Sequence, residues 1–226
     1  MAAPLFMLAQ TPVPAEPATQ FLTDGGIFMY VLLAVSLVSV TVITFKVLSL
    51  RRSLILPTRL EAQVADFEAR LNDNDVEPLA EEFRKGQSAL SRLCAVALGN
   101  AGRSQAEVQE AVQSSAREEI VKLNSLMSVL EVVITIAPLL GLLGTASGLV
   151  IVFEDLGQAS QDPTTIARGI AQALNTTIAG LAISVPSVIA HSYFSRKIEL
   201  MSARLEVLLG GMVSACHQHV FFQGNQ

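Results

Sequence analysis

The sequence predicts an all-α membrane protein with three transmembrane helices, the second and third running on into the cytoplasm, and a helical cytoplasmic domain. Three observations carry this expectation. The 226 residues are 51% hydrophobic and only 15% charged, with no Trp, and the mean hydropathy is +0.49. That is too apolar and too charge-poor for an ordinary soluble domain of this size. Three stretches, 26–50, 129–153 and 169–195, each hold the roughly 20 mostly apolar residues a span requires. Finally, Lys and Arg are distributed lopsidedly around those stretches, and it is their placement that orients a span.

Residues 1–25 contain no Lys or Arg and read as an external Pro-rich tail. The start, MAAPLFMLAQTPVPAEPATQ, lacks the positive n-region of a secretory signal and its apolar run is short, with cleavage after an Ala of PVPAEPA as a lesser alternative. Span one, 26–50, ends on Lys46, with Arg51 and Arg52 just beyond. Arg196 and Lys197 close span three, and the 154–168 loop carries Glu154, Asp155 and Asp162. With the tail and this loop outside, every one of the 15 basic residues except Arg168 falls inside. The N-terminus is therefore expected outside and the C-terminus in the cytoplasm.

Residues 51–128 form the expected cytoplasmic domain. LEAQVADFEARL and VEPLAEEFRKG read as amphipathic helices, broken near NDND and at Gly86. Gly99 and Gly102 give a further break. Ser104 with Glu107 then forms a capping-box pattern that starts a helix. Nothing from 104 to 137 forces a stop, so this helix is expected to run unbroken into span two, 129–153. After span three, KIELMSARLEVLLGGMVSACHQ keeps helical spacing until Gly210 and Gly211 weaken it, which makes 196–226 a cytoplasmic helix and tail. The last eight residues, HVFFQGNQ, carry no assignable pattern. Cys94 and Cys216 both fall on the reducing side, which argues against a disulfide.

The residues that could carry chemistry lie in spans two and three. At about 100° per residue, Gly141, Gly144 and Gly148 share one side of span two, a close-approach surface for a neighbouring helix. Thr145 borders that face, in line with Pro138 and Glu131. In span three Gly169, Ala173, Thr176, Thr177, Gly180, Ser184, Ser187 and His191 fall within about 100° of arc. Such a stripe suits a water-filled or ion-conducting path, although Ser and Thr also serve as interhelical glue. Gln172 sits at the edge of the stripe and cannot hold a proton as a carboxylate does. Asn175 lies away from the stripe and reads as a structural hydrogen-bonding residue. Pro186 frees a carbonyl and is expected to kink the helix. Glu131 is either a snorkelling interfacial charge or a proton-exit relay. His191 suits proton transfer or a simple interfacial position equally. His217, His219 and Cys216 match no zinc spacing, and enzyme signatures such as HExxH, GxSxG or a P-loop are absent.

Two stretches, APLLGLLGTASGLVIVF and GIAQALNTTIAGLAISVPSVIAHSYF, together resemble the signature of the MotA/TolQ/ExbB proton-channel family, nearest to ExbB with TolQ next. The likeness covers roughly residues 117–205. It implies a bacterial inner-membrane subunit, not an enzyme, that assembles as a pentamer in the lipid bilayer. The implied partners are an ExbD-like or TolR-like single-span subunit with a membrane Asp, and a TonB-like or TolA-like energy transducer. The implied activity is use of the proton motive force to energise TonB-dependent outer-membrane transport. No cofactor, metal or nucleic acid is expected. By the resemblance, Thr145 and Thr177 face the pore and Gln172 lies on the ion pathway, to which the residue pattern itself adds Thr176, Ser184 and Glu131. Gly141, Gly144, Gly148, Gly169, Gly180, Pro138 and Pro186 serve helix packing. The family's membrane glutamate corresponds to Gln172, a departure that leaves sodium coupling open. A TolQ-like subunit of a Tol-Pal type complex and a non-conducting membrane scaffold are the other readings.

Overall fold

A computed structural model describes residues 26–72, 77–156 and 163–223. The expected external tail, part of the 154–168 loop, part of the NDND turn and the last three residues lie outside the described residues. Among the described residues the secondary structure is entirely helical: α1 (Gly26–Ser49), α2 (Arg52–Ile55), α3 (Thr58–Ala65), α4 (Phe67–Asn72), α5 (Glu77–Lys85), α6 (Ala89–Gly99), α7 (Gln105–Asn124), α8 (Met127–Leu156) and α9 (Pro163–Gln223). Among the described residues three helical stretches are long and apolar enough to cross a membrane: Gly26–Ser49, Gln105–Glu154 and Ile166–His217. Alpha-helix is the form in which a chain crosses lipid with its backbone hydrogen bonds satisfied inside one segment. The helices outrun the expected spans, α8 continuing to Leu156 and α9 beginning at Pro163.

The chain divides into two compact units. One holds the residues up to Val38 together with Val133–Val185, and the other holds Ser39–Val132 and Pro186–Gln226. In the first, most of the large apolar side chains of α1, α8 and α9, Ile27, Leu37, Leu139, Leu142, Leu174 and Leu181 among them, are exposed. Buried there are small residues such as Ala137 and Ala173, together with Thr176 and Ser184. This inverts the pattern of a soluble protein, and it is the arrangement lipid favours, because tails solvate Leu while small residues allow close helix contact.

The second unit has a conventional apolar core, built from Phe67, Leu79, Phe83, Leu90, Leu93, Cys94, Val112, Leu205 and Met212. Gly86 breaks the chain between α5 and α6 as its sequence predicts, and a Cβ there would lie 2.9 Å from the Glu82 carbonyl oxygen. Ser88 caps α6 by accepting from the Ser91 N–H at 3.1 Å. The Ser104–Glu107 capping box is formed, with Ser104 N–H donating to Glu107 Oε2 at 3.0 Å and Glu107 N–H to Ser104 Oγ at 3.4 Å. Arg92 of α6 grips Glu119 of α7 through both its Nε and Nη2, a bidentate fork that fixes one helix against the other. The Cys94 thiol is pushed up to about 12, by burial first and by neighbouring Cys216 second, so its nucleophilic thiolate is suppressed. Among the described residues no cluster of His, Cys, Asp and Glu is arranged to hold a metal ion.

Glu119 and its neighbour Glu118 make a paired prediction. The Glu119 side chain is 9% exposed and the Glu118 side chain, paired with Lys122, is 71% exposed. Glu119→Ala removes the fork and lowers stability by about 1–2 kcal/mol, whereas Glu118→Ala costs about 0–0.5 kcal/mol. Thermal unfolding of the two variants in detergent, side by side with the parent, checks the difference.

Three sequence expectations are corrected. LEAQVADFEARL does not form one helix: Asp66, at φ −93 and ψ 14 with its N–H still on the Ala62 oxygen at 3.1 Å, caps α3 and separates it from α4, while Leu60, Val64 and Phe67 stay buried. Gly210 and Gly211 do not interrupt α9, which continues to Gln223. Burial of Leu208, Leu209, Met212, Val213, Ala215 and Cys216 on either side of them holds that stretch helical. Lastly, the helix starting at residue 105 does not run unbroken into span two. It ends at Asn124 and α8 starts at Met127, with Leu126 at φ 65 between them. The Leu123 carbonyl released by this break accepts from Lys46 Nζ at 2.7 Å, and Asn124 Nδ2 bonds back to the Ile120 oxygen at 3.0 Å. Satisfied carbonyls are what allow a helix to end inside an otherwise helical sequence.

Candidate functional site: the packed face of α8 and α9

The closest approach between helices in the first unit is made where side chains are missing. A Cβ on Gly180 of α9 would lie 2.5 Å from the Ala137 carbonyl oxygen of α8, and one on Gly141 of α8 would lie 3.0 Å from both the Thr176 oxygen and the Thr177 Cα. A Cβ on Gly148 would meet that of Ala173 at 2.9 Å, one on Gly144 would meet the Thr176 side chain, and one on Gly169 would meet Val152. All five glycines therefore stand against the opposing helix, and at Gly141 and Gly180 the obstacle is backbone, so a side chain there would push the helices apart.

This contact brings hydroxyls to backbone carbonyls. Thr177 Oγ1 donates to the Gly141 oxygen at 3.0 Å. Thr176 Oγ1 bonds its own helix at the Ala173 oxygen, 2.7 Å, with the Gly141 oxygen 3.4 Å away. Thr145 Oγ1 donates to the Leu142 oxygen at 2.7 Å. The Thr145 hydroxyl thus stays on its own helix, one residue along from the Gly141 carbonyl that Thr177 reaches from α9. Thr176 is 1% exposed, whereas Thr145 and Thr177 are only partly buried and retain open surface.

Ser184 has a different task. Pro138 has no N–H, so it cannot satisfy the carbonyl of Ile134 four residues earlier. Ser184 Oγ donates to that oxygen at 3.1 Å, supplying from α9 the bond that the proline removes from α8. Ser184→Ala should therefore cost about 0.6–1.7 kcal/mol. In a Pro138→Ala background, where the backbone at position 138 regains its N–H, the same change should cost almost nothing. A double-mutant cycle read by thermal unfolding measures this coupling, and additive effects would contradict it.

Gln172 is half-buried, with its Nε2 3.0 Å from where a Cβ of Gly26 would stand. Gly26, at φ 62, opens α1 in a conformation that favours glycine. Gln172 thus packs against the start of span one. Asn175 is half-buried as well.

Two of the sequence candidates belong to the second unit. Glu131 is exposed on α8, and Pro186 lies within a helix that continues unbroken around it. Beside Pro186, buried Ser187 shares a 2.7 Å hydrogen bond with buried Ser39 of α1. The sequence reading placed Ser187 on the small-residue stripe but gave no signal for Ser39, which sits as a lone polar residue in an apolar run. Lys46, fully buried at 2% exposure, was read only as an end-of-span cation.

These features define a multi-pass helical membrane protein whose last two spans pack through glycines and expose a threonine from each. The chain belongs to the MotA/TolQ/ExbB proton channel family, whose sequence profile matches residues 74–207, more than half of it. It is 29% identical over 230 residues to an ExbB-like biopolymer transport protein of Synechocystis, covering 99% of this chain and 86% of that protein. It is 32% identical over 127 residues to an ExbB homologue of Methanothermobacter thermautotrophicus, covering 56% and 45%. With the Tol-Pal system protein TolQ of Pseudomonas aeruginosa it shares 30% identity over 149 residues, covering 66% and 63%. The alignment with the Methanothermobacter homologue thus spans less than half of that protein.

Proposed function

We propose that the chain is an ion-conducting stator subunit of an inner-membrane motor, ExbB-like, that works with an ExbD-like partner to energise TonB-dependent outer-membrane transport. The observation that carries this reading is the Thr177 hydroxyl on the Gly141 carbonyl of the facing helix, with Thr145 and Thr177 both keeping exposed surface inside apolar spans. Neutral oxygens at such a site replace part of an ion's hydration shell. A partner helix carrying an Asp supplies the titrating group that Gln172 does not. Passage of one charge through 100 mV releases about 2.3 kcal/mol, so a few ions per cycle suffice to move a partner helix against a rigid glycine-packed wall. Glu131, exposed on α8, is the candidate relay at the inner end, and the distribution of Lys and Arg favours an external N-terminus with the C-terminus in the cytoplasm. Assembly as a pentamer follows from the family reading.

A second reading, a membrane scaffold, draws support from Thr176 and Ser184, whose hydroxyls are taken up in bonds within or between helices. Co-purification with a single-span, Asp-bearing protein encoded nearby, followed by an activity assay with and without sodium, tests the proposal. A stable complex whose activity collapses with the proton gradient and ignores sodium is the expected result. Activity that follows sodium transfers the reading to a sodium-coupled relative, and a complex indifferent to both gradients favours the scaffold. Dependence on a TolA-like rather than a TonB-like transducer would assign the chain to the Tol-Pal branch.

A further inference from the structure

We propose that Lys46 is a latch that holds the main chain broken at Leu126, and that without it α7 and the first turn of α8 close into one uninterrupted helix. The inference stands on the second unit alone and does not depend on the proposed function.

The break has no local cause. From 104 to 137 the sequence holds neither Gly nor Pro, and around the break it reads VKLNSLMSVLEVV, a run that imposes no stop on a helix. Leu126 nevertheless sits at φ 65, in the left-handed region where the Cβ of an L-residue crowds the following carbonyl. A strained leucine inside a helix-compatible sequence must be held there by something outside the segment.

Lys46 is the group in place to do so. It is among the largest fully buried side chains of the protein, reaches across 77 positions in sequence, and donates from Nζ to the Leu123 oxygen at 2.7 Å. In an uninterrupted helix that oxygen is the acceptor of the Met127 N–H. Here the ammonium bonds that oxygen at the end of α7, where the ladder stops and Met127 begins a new helix. A flanking bond fits the broken state: Ser125 N–H turns back to the Lys122 oxygen at 3.2 Å, an i→i−3 bond in place of the i→i−4 bond of a continuous helix. A cation at the C-terminal end of α7 is also favoured by the helix dipole. The lysine thus stabilises the α7 end of the broken arrangement, and its removal favours the closed one.

Hydrogen–deuterium exchange on the full chain in detergent tests the latch. In the parent the amides of Met127–Val129 should exchange quickly, and Lys46→Met should slow them about tenfold or more as the ladder closes. Unchanged fast exchange in a folded Lys46→Met protein, or protected amides in the parent, would overturn the proposal. Thermal unfolding gives an independent reading. Glycine accepts φ near 65° and alanine prefers the helix, so Leu126→Gly should melt higher than Leu126→Ala while Lys46 is present. With Lys46→Met added, or Lys46→Gln where the methionine variant does not fold, the order should reverse. An order that stays the same with and without the lysine would contradict the latch.

Discussion

Gly180→Ala should destabilise the protein by about 1–3 kcal/mol, and Gly180→Val by more, through overpacking alone. The new Cβ would lie 2.5 Å from the Ala137 carbonyl oxygen and 3.3 Å from the Gly141 Cα. Neither neighbour is a flexible side chain, so relief has to come from separating α8 and α9. That separation would also break the Thr177–Gly141 and Ser184–Ile134 hydrogen bonds, which compounds the loss. Gly210 is the control. It too lies within α9, but a Cβ there meets nothing within 4 Å, so Gly210→Ala should be neutral or stabilise by up to about 1 kcal/mol through helix propensity. Thermal unfolding in detergent, with the fraction of correctly assembled protein measured by size-exclusion chromatography, distinguishes the two. Equal behaviour of the variants would mean that the glycine contact carries no special energy.

Thr177→Val should leave the fold intact and abolish most of the ion-driven activity. Valine matches threonine in shape, so the contact with α8 is kept, while the hydroxyl that reaches the Gly141 oxygen is lost. Losing one polar partner of about 1.4 kcal/mol on the rate-limiting barrier slows passage about tenfold. Thr177→Ser retains the hydroxyl and should retain most of the activity. Complementation of a strain lacking the gene, with membrane levels of each variant verified, is the measurement. Full activity in the valine variant would reduce Thr177 to a packing residue and strengthen the scaffold reading.

How far the sequence was legible follows from which forces act locally. The three apolar stretches could be read directly, because the bilayer demands about 20 apolar residues wherever it is crossed. The Ser104 capping box and the break at Gly86 were legible for the same kind of reason, since both are set by residues within a few positions of each other. The break at Leu126 was hidden: its partner, Lys46, bonds a carbonyl 77 residues away. The pairing of Ser184 with the Ile134 carbonyl could be inferred only in part. A proline at 138 orphans an oxygen by its chemistry, but the sequence reading expects a freed carbonyl only at Pro186, and nothing in the periodicity said which helix would supply the donor. The helical wheel gathered the hydroxyls of span three on one face without saying what each of them meets. In the structure Thr176 is enclosed against α8 and Ser184 mends a proline gap, while Thr177, from the same stripe, keeps open surface. Periodicity sorts residues onto faces, and only the facing helix decides which of them bond and which remain accessible.

The central claim, that ions pass along the face bearing Thr145 and Thr177, is tested most directly by flux. The chain would be reconstituted into liposomes with its single-span partner, a potential imposed, and internal acidification followed with a pH-sensitive dye. Acidification that is present in the parent, lost in the Thr145→Val/Thr177→Val double variant and retained in Thr145→Ser/Thr177→Ser is the predicted result. Equal flux in the parent and the valine double variant, both shown to be assembled, would contradict it.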